Sequence, residues 1–61
     1  MIKVTKNPSF AGYYEIYDDH VRVEEIQGKL KAKRYAMKLA NKAKEKFFIF
    51  LGESVDVEWE V

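Results

Sequence analysis

The sequence predicts an α+β domain, with an antiparallel sheet of four or five strands and one amphipathic helix packed on one face. Three observations favour this fold class. Apolar and polar residues alternate with period two before Gly28, the apolar period becomes helical after it, and two further strand-like runs begin at residue 47. The expected order along the chain is β-β-β-α-β-β. With 61 residues, the chain is expected to form one domain, residues 1–61.

Two turn signals delimit the first three strands. "MIKVT" indicates a strand that ends at "NPS", where Pro8 favours extended geometry in the residue before it. "GYYEIY" and "HVRVEE" alternate on either side of Asp18 and Asp19, which is typical of a tight hairpin. The residues expected to face inward are Tyr14, Ile16, Val21 and Val23. Those expected to face outward are Tyr13, Glu15, Tyr17, Arg22 and Glu24.

The segment after Gly28 has the pattern of a helix that lies on a single sheet. Most of the apolar residues on its inner side are small, so the helix axis can approach the strands closely and large sheet side chains, above all Trp59, would fill the space. An alternative is that "GKLKA" is a further strand and the helix begins later. The inner arc contains Ala32, Ala36, Leu39, Ala40, Ala43 and Phe47, flanked by Tyr35 and Met37.

The last two strands are predicted to form a second hairpin around Gly52 and Glu53. In "SVDVEWEV" the alternation is nearly perfect, with Val55, Val57, Trp59 and Val61 on one face and Asp56, Glu58 and Glu60 on the other. The "FFIFL" run is apolar at every position, so two arrangements stay open. Phe48 and Phe50 lie on the outer face of the sheet if Phe47, Ile49 and Leu51 face the helix, or they point inward and the outer face is polar.

Charge is segregated along the chain, although the formal net charge is only +1. Residues 29–46 carry eight basic residues and one acidic residue, a net charge of +7, whereas the rest carries three basic and nine acidic residues, a net charge of −6. Positive and negative surfaces are therefore expected on opposite sides of the molecule. The solvent face of the helix is expected to present Lys31, Arg34, Lys38, Asn41 and Lys42.

The basic side chains at the start of the helix interact unfavourably with the helix dipole. It has no Ser, Thr, Asp or Asn cap, and its first turns carry Lys29, Lys31, Lys33 and Arg34. An anionic group is expected nearby to compensate these charges. The candidates are Glu24 and Glu25, or an external phosphate or carboxylate.

Catalysis has little support in the sequence. There is no cysteine, the single histidine, His20, lies in a predicted hairpin turn, and Ser9 and Ser54 stand outside any motif. The acids of the last strand are spaced too widely for more than two to reach one cation. We expect no enzymatic activity, catalytic residue, metal site, cofactor or small-molecule substrate.

The expected setting is cytoplasmic, because a small domain without cysteine fits a reducing compartment. The longest apolar run, "FFIFL", is far too short to span a bilayer, so no membrane partner is expected.

The function that these patterns favour is a non-enzymatic interaction module. Aromatic residues on the outer sheet face, rimmed by acids, would mediate self-association, for example as a homodimer, or would bind a protein partner. The residues predicted for this face are Tyr13, Tyr17, Phe48 and Phe50. The alternative is a nucleic-acid-binding accessory protein that presents Lys31, Arg34, Lys38 and Lys42 to a phosphate backbone.

Overall fold

The computed structural model describes residues 1–52 and 57–61, and it confirms the predicted α+β fold. A single helix packs on one face of a five-stranded sheet, in the chain order β-β-β-α-β-β. Predictions for Glu53, Ser54, Val55 and Asp56 lie outside the described residues. The elements are β1 (Ile2–Lys6), β2 (Tyr13–Asp18), β3 (Val21–Gln27), α1 (Lys29–Lys42), β4 (Phe47–Leu51) and β5 (Val57–Glu60).

The sheet has the strand order β3-β2-β1-β4-β5 and is not fully antiparallel. Strands β1 and β4 pair in parallel, whereas the other three pairs are antiparallel as predicted. The parallel pair follows from the crossover. Because α1 runs back along the sheet after β3, β4 starts at the same end as β1, and a parallel neighbour requires such a connection. Strands β3 and β5 form the two edges.

The β2–β3 hairpin is confirmed, but it turns at Asp19 and His20, one residue later than the predicted Asp18 and Asp19, with Asp19 in the left-handed region at φ 56°. The alternation expected for β3 is wrong. A bulge places Glu24 opposite Ile16 and Arg22 opposite Tyr17, so Val23 has no opposite residue. Val23 is therefore 41% exposed instead of buried, and Glu24 shares the helix side with Ile16. Val21 lies opposite Asp18 in the row of Ile2, on the helix side as predicted, but it is 65% exposed.

The core lies between the alanine side of α1 and the facing side of the sheet. Ala32, Ala36 and Ala40 have no exposed surface, and α1 begins at Lys29 as predicted rather than later. Ala43 and Phe47 do not belong to this buried side, because Ala43 caps the helix and Phe47 starts β4. The buried residues are Ile2, Val4, Tyr14, Ile16, Ala32, Ala36, Ala40, Phe48 and Phe50.

Phe48 and Phe50 face the helix, so their placement on the outer face is wrong. Their side chains are 0% and 1% exposed, and they are the largest fully buried residues of the core. Phe50 pairs with Val4 across the parallel ladder, and its ring lies 5.5 Å from the ring of Tyr14. The physical reason is volume, because an alanine surface leaves space that large side chains must fill. These two phenylalanines fill it, while Trp59 is only partly buried.

The described part of the last hairpin follows the predicted alternation. Val57 and Trp59 lie opposite Phe50 and Phe48 on the helix side of the sheet. Glu58 and Glu60 lie on the other face, opposite Ile49 and Phe47, and both glutamates are exposed.

Backbone hydrogen bonds hold the two ends of α1. Gly28 caps the start at φ 102°, a conformation that favours glycine, and its N–H donates to the carbonyl of Gly12 at 2.8 Å. At the other end Lys44 is left-handed at φ 60°, and the N–H of Glu45 donates to the carbonyl of Ala40 at 2.8 Å. This is the bond pattern of a Schellman motif, which stops the helix before β4.

The close contact of helix and sheet predicts that Ala36 does not tolerate a large side chain. Ala36→Leu should lower the free energy of unfolding by about 1–3 kcal/mol, because added carbons at a fully buried position force the helix away from the strands. The measurement is urea denaturation followed by circular dichroism. The matched control is Ala43→Leu, at an exposed position at the end of the same helix. Equal stability of the two variants would show that the helix is not held at close range.

Candidate functional site

The outer face of the sheet, opposite α1, is a surface that no described helix or strand covers. Residues paired across strands share a face, so the registers define its rows. One row crosses all five strands as Arg22, Tyr17, Lys3, Ile49 and Glu58. The next row consists of Glu25, Glu15, Thr5 and Leu51, and the pairs Tyr13 with Gln27 and Phe47 with Glu60 flank these rows.

Apolar side chains lie in these rows on β2 and β4, on either side of Lys3 and Thr5 of β1. We call them the outer-face patch: Tyr13, Tyr17, Phe47, Ile49 and Leu51. Phe47 is 36% exposed, and the other four are partly exposed. Tyr13 and Tyr17 lie on this face as predicted. Ile49 and Leu51 take the positions that had been expected for Phe48 and Phe50. The partner-binding role assigned to the tyrosines stays a prediction.

Acidic residues surround the patch, and they are distributed unevenly. On the β2 side Glu15 is partly neutralised, since its Oε2 accepts a hydrogen bond from Arg22 Nη1 at 3.2 Å and one from the Tyr17 hydroxyl at 3.5 Å. On the β5 side, Glu58 and Glu60 have no ion pair with any described residue. Glu25, in the row of Glu15, also has no ion pair with a described residue, so β5 presents two such carboxylates on this face and β3 presents one. Of the predicted acidic rim, Glu24 lies on the other side and Asp56 is outside the described residues.

The opposite side of the molecule is basic, as predicted. Lys31, Arg34, Lys38 and Lys42 are exposed and follow one stripe of α1, within about 80° of arc and over about 16 Å of helix. Within residues 1–52 and 57–61, none of these four side chains forms an ion pair. Basic and acidic surfaces thus lie on opposite sides, although Lys3 and Arg22 lie on the outer face and Lys46 lines a concavity with Phe47, Glu58 and Glu60.

Two lysines at the start of α1 lie over aromatic rings. Lys33 Nζ is 3.4 Å from the centroid of the Trp59 ring, and Lys29 Nζ is 5.5 Å from that of Phe50. The two upstream acids bond elsewhere: Glu25 accepts from Asn7 Nδ2 at 2.7 Å, and Glu24 accepts from the Glu25 N–H at 3.0 Å. The rings therefore provide part of the compensation that was expected from these acids.

An open groove of about 340 Å³ runs between α1 and the end of β5. Its walls combine apolar side chains with cationic and amide groups. The lining residues are Arg34, Met37, Lys38, Asn41 and Val61. The groove lies between α1 and Val61, the residue after β5, and none of its lining residues belongs to the outer-face patch.

A cluster of charges ties the start of β1 to two other parts of the chain. The amino group of Met1 contacts the Asp19 carboxylate directly, and it lies 3.2 Å from Glu45 Oε1. The N–H of Ile2 donates to the other oxygen of Glu45 at 3.1 Å. The hydrogen bond with Asp19 raises the pKa of the Met1 amino group above its ordinary 8.0, and the same bond lowers the pKa of Asp19 below 3.8.

Within residues 1–52 and 57–61, no group of three or more His, Asp or Glu side chains could hold a metal ion. No helix in these ranges is long and apolar enough to cross a membrane.

Comparisons with known proteins give no match: no family model, curated protein or solved structure is significantly similar to this chain.

Sequence reasoning located the basic stripe and the two tyrosines, but it missed three features. Ile49 and Leu51 could have been assigned to the outer face by size, since the alanine side of α1 calls for the larger phenylalanines. The groove beside β5 depends on where the helix lies across the sheet, which no local pattern shows. The charge cluster joins Met1 to Asp19 and Glu45, and their distance along the chain hides it.

The Met1 cluster predicts a pH dependence of stability. The raised pKa of the Met1 amine means that its contribution is complete below pH 8.0 and is lost as pH rises through the folded-state pKa. The lowered pKa of Asp19 means that its contribution is present above pH 3.8 and is lost as pH falls through the folded-state pKa. Asp19→Asn should therefore have a lower urea midpoint than the original chain near pH 6. Near pH 10 the two midpoints should lie closer together.

The control for this prediction is Asp18→Asn, since Asp18 forms no ion pair with a described residue. Its urea midpoint should stay parallel to that of the original chain from pH 6 to about pH 10. A constant difference for Asp19→Asn over the same range would contradict the proposed coupling.

Proposed function

We propose that this chain is a small non-enzymatic interaction module whose outer-face patch binds a second copy of the chain or another protein. The observation that supports this proposal is the partial exposure of five large apolar side chains on a sheet face that no described element covers. A small domain seldom leaves such a patch in water, and aromatic and aliphatic side chains are enriched where protein interfaces are fully buried.

The small size of the domain also favours association. The sheet has one helical layer, and its core is thin, with three alanines among the nine buried residues. A core of this size supplies only about 3–5 kcal/mol by itself. Covering Tyr17, Ile49 and Leu51 on association would remove further apolar surface from water, and this would stabilise the folded chain.

Photo-crosslinking from the outer face tests this proposal. With Tyr17 replaced by the photo-reactive p-benzoylphenylalanine, irradiation should give an adduct, either of two chains or of this chain with a partner protein. If the chain self-associates, light scattering should also give a mass above 7.2 kDa. Ile49→Ser should weaken the association about tenfold or more, because it truncates an apolar side chain of the patch in the same row as Tyr17.

Two matched controls accompany this experiment. The photo-reactive residue at Arg34, on the helix side, should not form the same adduct. Leu30→Ser removes another exposed apolar side chain, 65% exposed on α1, and should leave the Tyr17 adduct unchanged. A monomeric mass together with an adduct yield that is indifferent to Ile49→Ser would contradict the outer-face proposal.

A second candidate is nucleic-acid binding by the basic stripe of α1. The observation that favours it is that Lys31, Arg34, Lys38 and Lys42 are exposed, aligned, and without ion pairs to described residues. Cations in a row can follow a phosphate backbone and release its counterions, and such binding weakens steeply with salt. Three of the four are lysines, which contact phosphates as point charges and read bases poorly. The expected binding is therefore independent of sequence.

Fluorescence anisotropy with labelled duplex and single-stranded DNA tests this second candidate. Binding at about 50 mM salt should weaken by orders of magnitude at about 200 mM salt. Replacing Lys31, Lys38 and Lys42 by Gln should reduce both the affinity and the salt slope. The matched control replaces Lys3, Lys6 and Lys46, which lie off the helix, by Gln and should have a smaller effect. Equal losses in the two triple variants would indicate attraction by overall charge, without a site on α1.

A further inference from the structure

We propose that the free edge of β5 binds an extended segment of a protein partner as an added strand, and that this segment alternates apolar residues with Lys or Arg. This surface is distinct from the outer-face patch. It is formed by the backbone of β5, by the groove on its helix side, and by two carboxylates on its other side.

The backbone of β5 has hydrogen-bonding groups that pair with no described residue. The N–H of Val61 donates to the carbonyl of Lys46 at 2.9 Å, and Trp59 and Val57 follow at two-residue steps opposite Phe48 and Phe50. In an antiparallel ladder the backbone groups of successive residues point to opposite edges. Those of Val57 and Trp59 therefore point to β4, and those of Glu58 and Glu60 point to the free edge. An added strand would pair with these groups.

The other edge of the sheet is less suited to pairing. In β3 the bulge between Arg22 and Glu24 interrupts the regular alternation of the strand. Bulges of this kind protect edge strands, because they twist the backbone groups out of register. Strand β5 shows no such irregularity over its described length. An uninterrupted ladder can therefore extend from β5.

The helix side of the β5 edge has room for apolar side chains. The backbone of α1 packs close to β1, β2, β3 and β4 but not to β5, which α1 contacts through Lys33 over the ring of Trp59. The groove of about 340 Å³ lies in the space that remains, with Met37 and Val61 as its apolar lining. Side chains on the helix side of an added strand would enter this groove, so apolar residues fit there.

The other side of the edge is acidic. Glu58 and Glu60 point to the outer face, are exposed, and have no ion pair with a described residue. Opposite charges on neighbouring strands stabilise a sheet, whereas like charges directly opposite each other destabilise it. The outward residues of the added strand should therefore be Lys or Arg.

The same charges argue against a second copy at this edge. An antiparallel pair of β5 strands would place Glu58 and Glu60 of both copies side by side on one face, where they repel. Pairing with the β3 edge of a second copy would meet the bulge at Val23. The favoured occupant is therefore a segment of a different protein.

Synthetic peptides test the proposal. The probe is a blocked heptapeptide of alternating Val and Lys, N-methylated at each Val. The Lys residues opposite Glu58 and Glu60 keep the N–H groups needed for pairing with β5. Methylation of the Val nitrogens blocks the opposite edge of the peptide and prevents the peptide from associating with itself. We expect saturable binding that changes the fluorescence of Trp59, the only tryptophan of the chain, and shifts the amide resonances of Glu58 and Glu60. The same peptide methylated at Lys, and a Val and Glu peptide methylated at Val, should not bind.

Two variants of β5 separate backbone pairing from charge. Glu60→Pro removes an N–H that points to the free edge and leaves the bonds of Val57, Trp59 and Val61 to β4, so it should weaken binding about fivefold to tenfold more than Glu60→Gln. Ile49→Ser, on the outer-face patch, should leave peptide binding unchanged. If Glu60→Pro does not fold, the two methylated forms of the Val and Lys peptide make the same distinction with the original chain.

Several results would overturn the proposal. They are the absence of saturable binding, equal binding of both methylated forms, equal binding of the Val and Glu peptide, and equal affinity of Glu60→Pro and Glu60→Gln. A dimer of the chain alone that Glu60→Pro abolishes would also overturn it, and would assign this edge to a second copy.

Discussion

The contact between the alanine side of α1 and two phenylalanine rings determines how the rest of the molecule is arranged. Ala32, Ala36 and Ala40 bring the helix close to the sheet, and Phe48 and Phe50 fill the remaining space. Since side chains alternate along a strand, directing the even positions of β4 inward directs Ile49 and Leu51 outward. One packing requirement thus produces both a tight core and an apolar group on the opposite face.

A single helix on a five-stranded sheet also explains the separation of charge. The helix uses its small residues against the sheet, so its cations collect on the side away from the core. The sheet has one face in contact with the helix and one face that no described element covers, and most acids of its strands lie on the latter. The +7 and −6 segments of the sequence therefore become two sides of the molecule. An anionic partner would therefore bind the helix side, and a cationic partner would bind the opposite side.

Local patterns in the sequence were sufficient to predict the helix and the strands. They were insufficient to predict which side chains of some strands face the helix. The helix, the β2–β3 hairpin and the alternation of Val57 to Glu60 each follow from a period within one segment, and all three are confirmed. The "FFIFL" run has no alternation, so its orientation depends on the volume left by a helix elsewhere in the chain. The bulge at Val23 lies in a run whose alternation is regular, and the parallel pairing of β1 with β4 depends on the crossover.

The outer face and the free edge of β5 are contiguous because they share Glu58 and Glu60. The carboxylates of these residues belong to the acidic side of the outer face, while their backbone groups point to the edge. A strand added at the edge would extend the row that ends at Glu58 by one position. A basic residue at that position would neutralise the Glu58 carboxylate. Binding at the edge would therefore extend the outer face and lower its negative charge, which would favour contact of the apolar patch with a second protein surface.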